Sequence, residues 1–285
     1  MSVERVGVIG GGLMGSGIVE VNARAGIDVV LVEVSADAAK AAESRVTSSL
    51  ERALGRGKIS QEDFDAAVGR IRFSDDLEQL ADRQLVIEAA SEREDVKLDL
   101  FRRLGQIVTD ESAILASNTS SIPIVKLGAV SGRADRVMGV HFFNPAPVMK
   151  LVELIPSLTT SPETLERMRG YVTQGLGKEP IEATDRAGFV VNSLLVPYLL
   201  SAIRMYEAGY ASAVDIDQGM VLGCGHPMGP LALADLIGLD TIRAIGQSMY
   251  EEFKEPLYSP PPLLDRMVDA GLLGKKSGHG FYPYG

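Results

Sequence analysis

Val3-Glu4-Arg5-Val6-Gly7-Val8-Ile9-Gly10-Gly11-Gly12-Leu13-Met14-Gly15-Ser16-Gly17 decides the class of this chain. The first seven residues alternate into an apolar strand, the glycines break it, and Ile18 to Ala25 reads as a helix closed by Gly26. Strand, glycine turn and helix in that order are the setting in which G-x-G-x-x-G has a physical meaning. Gly10 permits the tight turn, Gly12 lets backbone amides approach a pyrophosphate, and Gly15 lets helix and strand pack closely, with the helix N-terminus facing the phosphates. A second apolar strand, Asp28 to Val34, carries Glu33, 21 residues after Gly12, where an acid bonds the adenosine ribose hydroxyls. Glu33 repels a 2′-phosphate and no arginine follows at once, so NAD is expected rather than NADP.

Further strands are expected at Leu85 to Ala90, Ala113 to Ala116, Val137 to Val140 and Met149 to Ile155, with helices between the first of these, over Val96 to Val108 and Ile124 to Gly128. The alternation predicts an α/β, Rossmann-type, doubly wound and mainly parallel sheet over residues 1–185. Ala36 to Arg72 is helical and longer than one crossover needs, with Gly55-Arg56-Gly57-Lys58 between two segments, so a helical hairpin insertion is expected. Between Arg45 and Lys58 stand four basic residues and one acid, which suits a phosphorylated ligand tail or, equally, a solvated helix face. After Pro180 to Arg186 the strand pattern stops. Residues 186–285 then read as an all-α domain with helices at Phe189 to Ala208, from Ser212, from Pro230, and at Thr241 to Phe253 and Leu263 to Ala270. Helices this apolar in so small a domain point to a homodimer packed through them.

Residues just past the carboxyl ends of parallel strands line the ligand crevice. Ser91, Glu92 and Lys97 follow one such strand, and Ser117-Asn118-Thr119-Ser120-Ser121 ends the next, where it either lines the crevice or caps the following helix. The strand from Val137 delivers His141, followed by Phe142-Phe143-Asn144-Pro145. On the next strand Met149, Leu151, Glu153 and Ile155 share a face, so Glu153 is a carboxylate among apolar neighbours, costly without a partner. An imidazole held by a buried carboxylate has a fixed tautomer and suits a general base. The plainer account is that Glu153 pairs with Lys150 or reaches solvent, and that His141 is a core histidine bonded to backbone. Asn192 either bonds a substrate oxygen or caps its helix.

With 46% hydrophobic and 23% charged residues the chain is an ordinary globular one, and its net charge of −10 argues against nucleic acid and anionic membranes as partners. The single cysteine, Cys224, excludes an internal disulfide and fits a reducing cytoplasm. No apolar run approaches the roughly 18 residues of a membrane span. His226 and His279 lack metal-ligand spacing, so no metal is expected.

Taken together, Gly10 to Gly17, Ser117 to Ser121, His141-Phe142-Phe143-Asn144-Pro145, Leu151-Val152-Glu153-Leu154-Ile155, Gly188-Phe189-Val190-Val191-Asn192 and His226-Pro227-Met228-Gly229-Pro230 running on to Asp240 resemble the short-chain 3-hydroxyacyl-CoA dehydrogenases, among them the bacterial 3-hydroxybutyryl-CoA dehydrogenases. The resemblance implies oxidation of a 3-hydroxyacyl-CoA with His141 as catalytic base and Glu153 as its partner. It implies that Ser120, Asn144 and Asn192 hold the substrate, and that Ser49 with Arg56 or Lys58 of the hairpin meets coenzyme A. Glu92 and Lys97 are implied as cofactor contacts, beside Leu13 and Met14 in the glycine loop and Ala90, Ser117, Asn118 and Ser120 at the strand ends. Two departures stand out: Glu33 where an aspartate is commoner, and Ser193 where a basic residue is usual. A dehydrogenase of a sugar acid or small hydroxy acid, or a dinucleotide-binding protein without catalysis, are the rival readings.

Overall fold

The computed structural model describes residues 3–285, and the described chain divides between Arg186 and Ala187 into two compact units. In chain order the first unit runs β1 (Arg5–Ile9), α1 (Leu13–Arg24), β2 (Asp28–Val32), α2 (Ala36–Gly55), α3 (Gln61–Gly69), β3 (Ile71–Ser74), β4 (Leu85–Glu88), α4 (Glu94–Ile107), β5 (Ile114–Ser117), α5 (Ile124–Ser131), β6 (Val137–Phe142), β7 (Leu151–Pro156), α6 (Pro162–Gly170) and β8 (Glu179–Glu182). Among the described residues these strands form one eight-stranded sheet of order β3-β2-β1-β4-β5-β6-β7-β8. All neighbours pair in parallel except β6 and β7. The expected doubly wound, mainly parallel sheet is the architecture found.

Its central strands are apolar without alternation because helices cover both faces. Val29, Val30, Leu31 and Val32 are all buried, as are Leu85, Val86 and Ile87. Close approach of α1 to the sheet depends on Gly15, since a Cβ there would lie 1.8 Å from the Gly10 carbonyl oxygen. Gly10 itself has φ +90°, a conformation that L side chains rarely adopt.

Hydrophobic patterning misses β3 and β8. Both are four-residue edge strands, Ile-Arg-Phe-Ser and Glu-Pro-Ile-Glu, with too few apolar positions to stand out, and Pro180 is tolerated because an edge strand need not donate on both sides. The stretch read as leaving the sheet therefore begins as its last strand. Strand boundaries also move by one or two residues, and two of these shifts concern residues singled out above. β2 ends at Val32, so Glu33 lies just past it, and β7 starts at Leu151, so Met149 belongs to the preceding loop, its amide bonded to the Pro145 carbonyl. The hairpin of α2 and α3 is helped by Ser35 and Ser60 as N-caps, the latter in a reciprocal capping box with Asp63.

The second unit consists of α7 (Val191–Glu207), α8 (Ala213–Cys224), α9 (Pro230–Ile237), α10 (Leu239–Phe253) and α11 (Pro262–Asp269) with short 3₁₀ turns. It has its own core, in which Leu199, Leu200, Ile203, Leu231, Leu239, Ile242 and Met249 meet. Ser212 caps α8 and Pro230 opens α9, as their positions in the sequence require. No helix is long and apolar enough to cross a membrane among the described residues.

Candidate active site

The reversal from β6 to β7 places His141 directly opposite Glu153 in the antiparallel register. Cross-strand partners project to the same face, so the two side chains meet without distortion. The result is a 2.8 Å contact between His141 Nδ1 and Glu153 Oε2, with Glu153 fully buried and His141 nearly so. Lys150, the other candidate partner of Glu153, points instead at Glu179 from an exposed position. The far side of the imidazole, Nε2, lies 3.0 Å from Ser120 Oγ, and the Phe143 ring packs edge-on against it with centroids 4.8 Å apart. A carboxylate accepts only, so the proton between His141 and Glu153 resides on Nδ1, and in the neutral ring Nε2 then carries the lone pair.

Ser120 is held by a second carboxylate system, of which the sequence points to Glu92 and Lys97 but not to the buried Glu88. Glu88, the last residue of β4, is fully buried and receives Lys97 Nζ at 2.7 and 2.9 Å, the Ser117 hydroxyl at 2.6 Å and the Ala90 amide at 2.7 Å. Lys97 also meets Glu92 Oε2 at 3.1 Å. Glu92 in turn accepts from the Ser120 amide and the Ser121 hydroxyl, each at 3.0 Å, and from the Thr119 hydroxyl. Burial pushes the Glu92 carboxyl up, but the Lys97 ammonium and the bonds from Thr119 and Ser120 outweigh it, so the group stays below the ordinary carboxylate range. Asn118 completes the edge by accepting from the Phe142 amide at 2.9 Å.

Two of the expected cofactor contacts, Ser117 and Lys97, belong to this network. Ser117 has no exposed surface and Lys97 is only 1% exposed, so their side chains lie beneath the wall of the crevice, bonded to Glu88 and, for Lys97, also to Glu92. In the sequence Glu88 is a charged residue ending an otherwise apolar run, nine residues before a lysine on the following helix, a pattern that a solvated strand end shares.

A cleft of about 960 Å³ opens past the carboxyl ends of β1, β2 and β4, lined among others by Gly10, Gly12, Glu33, Ala90 and Ser91. A Cβ on Gly12 would meet nothing within 4 Å, and α1 starts there without a side-chain cap, leaving room and amide donors for an anion. Leu13 is exposed at the start of this helix and Met14 half-buried. Open space, a bare helix start and an acid past β2 fit a dinucleotide. No group of three or more potential metal ligands occurs among the described residues.

Asn144 is exposed just past β6, in a cis peptide with Pro145, and the loop after it is tied down by Lys178, whose Nζ donates to the carbonyls of Ala146 at 2.7 Å and Met149 at 2.6 Å. Ser49, Arg56 and Lys58 lie on the hairpin, the first half-buried on α2 and the others exposed at its tip, and they do not line the cleft. Asn192 is the second residue of α7 in the helical unit and is buried. Ser193 turns its hydroxyl to the Phe189 carbonyl at 2.7 Å.

Two family models match successive parts of the chain: the NAD binding domain of 3-hydroxyacyl-CoA dehydrogenase over residues 5–186, and the C-terminal domain of 3-hydroxyacyl-CoA dehydrogenase over 188–284. The chain belongs to the 3-hydroxyacyl-CoA dehydrogenase family. It is an oxidoreductase of that family, and its first unit is the family's NAD-binding domain. A 3-hydroxybutyryl-CoA dehydrogenase of Mycobacterium tuberculosis is 54% identical over 99% of both chains. The human mitochondrial hydroxyacyl-coenzyme A dehydrogenase is 43% identical over 99% of this chain and 91% of its own. The crystal structure of (S)-3-hydroxybutyryl-CoA dehydrogenase from Ralstonia eutropha superimposes with a TM-score of 0.93 at 45% identity, covering 100% of each chain.

Proposed function

We propose that this protein oxidises (S)-3-hydroxyacyl-CoA, with 3-hydroxybutyryl-CoA as substrate, to the 3-ketoacyl-CoA with NAD, and catalyses the reverse. The observation that carries the reading is the Glu153–His141–Ser120 alignment, with Ser120 and His141 toward the same carboxyl edge of the parallel strands as the cleft past β1, β2 and β4. His141 Nε2 takes the proton of the C3 hydroxyl, and Glu153 stabilises the imidazolium that forms. NAD, when bound, supplies the hydride acceptor. The Ser120 hydroxyl, within reach of Nε2, orients the reacting oxygen, and the Glu88–Lys97–Glu92 group keeps Ser120 in place. In the reductive direction the protonated His141 returns its proton to the new alkoxide.

Gly10, Gly12, Leu13, Met14 and Gly15 cradle the cofactor, with Glu33, Ala90, Glu92 and Asn118 along its length, while Lys97 and Ser117 act from below. Asn144 and Asn192 hold substrate oxygens, and Ser49, Arg56 and Lys58 meet coenzyme A, a role supported by the local excess of positive charge in an acidic chain. Exposed Leu194, Tyr210, Leu222 and Leu236 on the helical unit support a homodimer, which light scattering at micromolar concentration tests. A cytoplasmic setting fits the single cysteine. The deciding experiment compares NADH consumption with acetoacetyl-CoA and with a free keto acid of equal length. The coenzyme A ester should react and the free acid should not; equal rates would refute the assignment.

A further inference from the structure

If the cofactor is NAD, as proposed above, the adenosine end of the cleft must reject the 2′-phosphate of NADP, and its construction shows how. Glu33 stands just past β2 with both carboxylate oxygens held by backbone amides, Oε1 by Gly11 N–H at 2.6 Å and Oε2 by Val34 N–H at 3.0 Å. Converging amide donors form an anion-binding concavity, and here the anion inside it is the protein's own side chain. A cation stands on the next peptide group of the same residue. Arg45, an exposed residue of α2, donates from Nη1 to the carbonyl of Gly11. No arginine is adjacent to Glu33 in sequence, but α2 folds back across the glycine loop and brings one twelve residues later. Glu33 and Val34 both line the cleft and Val34 is 93% exposed, so a ligand in the cleft reaches the Glu33–Val34 side of this group, while Gly11 itself is buried.

We propose that the amides of Gly11 and Val34, with the Arg45 guanidinium, constitute a latent 2′-phosphate site, filled by the Glu33 carboxylate, and that this carboxylate alone holds the choice of NAD over NADP. With Glu33 present, the incoming phosphate meets a like charge and finds both amides taken. With it removed, the same two amides and a guanidinium suited to phosphate become available. Selectivity in this protein therefore rests on a competitor built into the site and not on the lack of a phosphate-binding group.

The test uses the full-length protein as wild type, Glu33→Ser, Glu33→Ser with Arg45→Met, and Glu33→Ser with Arg45→Lys. Calorimetric titration with 5′-AMP and with adenosine 2′,5′-bisphosphate reads binding independently of turnover, and kcat/KM for NADH and NADPH with acetoacetyl-CoA follows. Glu33→Ser should gain about 10- to 100-fold in bisphosphate affinity, the worth of a charge-assisted hydrogen bond. Arg45→Met should remove most of that gain while 5′-AMP still binds, and Arg45→Lys should keep part of it. No gain in Glu33→Ser, or a gain that survives Arg45→Met intact, overturns the inference while leaving NAD use standing. Wild type that binds neither NADH nor 5′-AMP would instead bring down the NAD reading, and this inference with it.

Discussion

Among the described residues the first unit buries the carboxylates of Glu20, Glu88 and Glu153 and the second those of Asp217 and Asp235, and they are satisfied in different ways. In the sheet unit Glu153 takes an imidazole and Glu88 an ammonium. In the helical unit Asp217 accepts from the amides of Leu231 and Ala232 and the Tyr282 hydroxyl, while Asp235 accepts from the amides of Phe281 and Tyr282 and the Tyr284 hydroxyl. A carboxylate bonded to amides ends a network, because an amide has nothing further to offer. One bonded to an imidazole passes its influence on, because the second ring nitrogen is left for a ligand. The first arrangement builds architecture: Asp217 caps α9 and Asp235 pins the C-terminal segment. The second retains chemistry. The Asp235 motif contributes to the family resemblance as strongly as the histidine motif does, yet its geometry is that of a fastening.

If that contrast is right, substitutions in the two units should fail in different observables. The largest effect is expected from His141→Ala or Glu153→Gln, which should lower kcat with acetoacetyl-CoA by about 10² to 10⁴ with NADH affinity nearly unchanged; steady-state rates beside fluorescence titration check this. Lys97→Met leaves the buried Glu88 carboxylate without its cation and should cost about 3–5 kcal/mol of stability. Adding Glu88→Gln should recover much of it in denaturant unfolding, whereas independent contributions would add. Asp235→Asn should cost roughly 1–3 kcal/mol, since an amide NH₂ would face a backbone N–H, and should leave the pH profile of kcat where it was.

The smallest effects are those of pH, and they have opposite signs in the two units. Glu92 is held below its ordinary value of 4.5, so its contribution to stability is complete above that pH and is lost as pH falls through the depressed folded value. Burial first, then Asp235, pushes the Tyr284 hydroxyl up from 10.0 to about 12, and burial with Asp217 raises Tyr282 likewise. Their contribution is complete below pH 10 and is lost as pH rises toward 12. Hydrogen exchange should show residues 88–121 loosening first in acid and residues 278–284 loosening first in alkali. Simultaneous loss of protection would remove the distinction.

Much of this was legible in the chain. The β1 to β2 segment could be read from sequence because its signals are local: an apolar run, glycines at fixed spacing, a helix and an acid. His141 and Glu153 were readable as a pair because a short connection between adjacent strands keeps near neighbours near. β3 and β8 were not, since an edge strand is stabilised by pairing more than by its own hydrophobicity. Glu88 resembled an ordinary strand end, and nothing short-range distinguishes a carboxylate that will be sealed under α4 from one that will be solvated.

The amino-acid sequence by itself determined the class of fold and the glycine loop and singled out His141 and Glu153 as a candidate pair, because each rests on short-range patterns. Only the tertiary structure decided that Lys97 and Ser117 lie beneath the crevice wall, that Glu33 is gripped by Gly11 and Val34 with Arg45 beside them, and that Asp217 and Asp235 are fastenings. The physical reason is that the state and duty of a charged side chain depend on which donors reach it once water has been excluded, and those donors arrive from other elements of the fold.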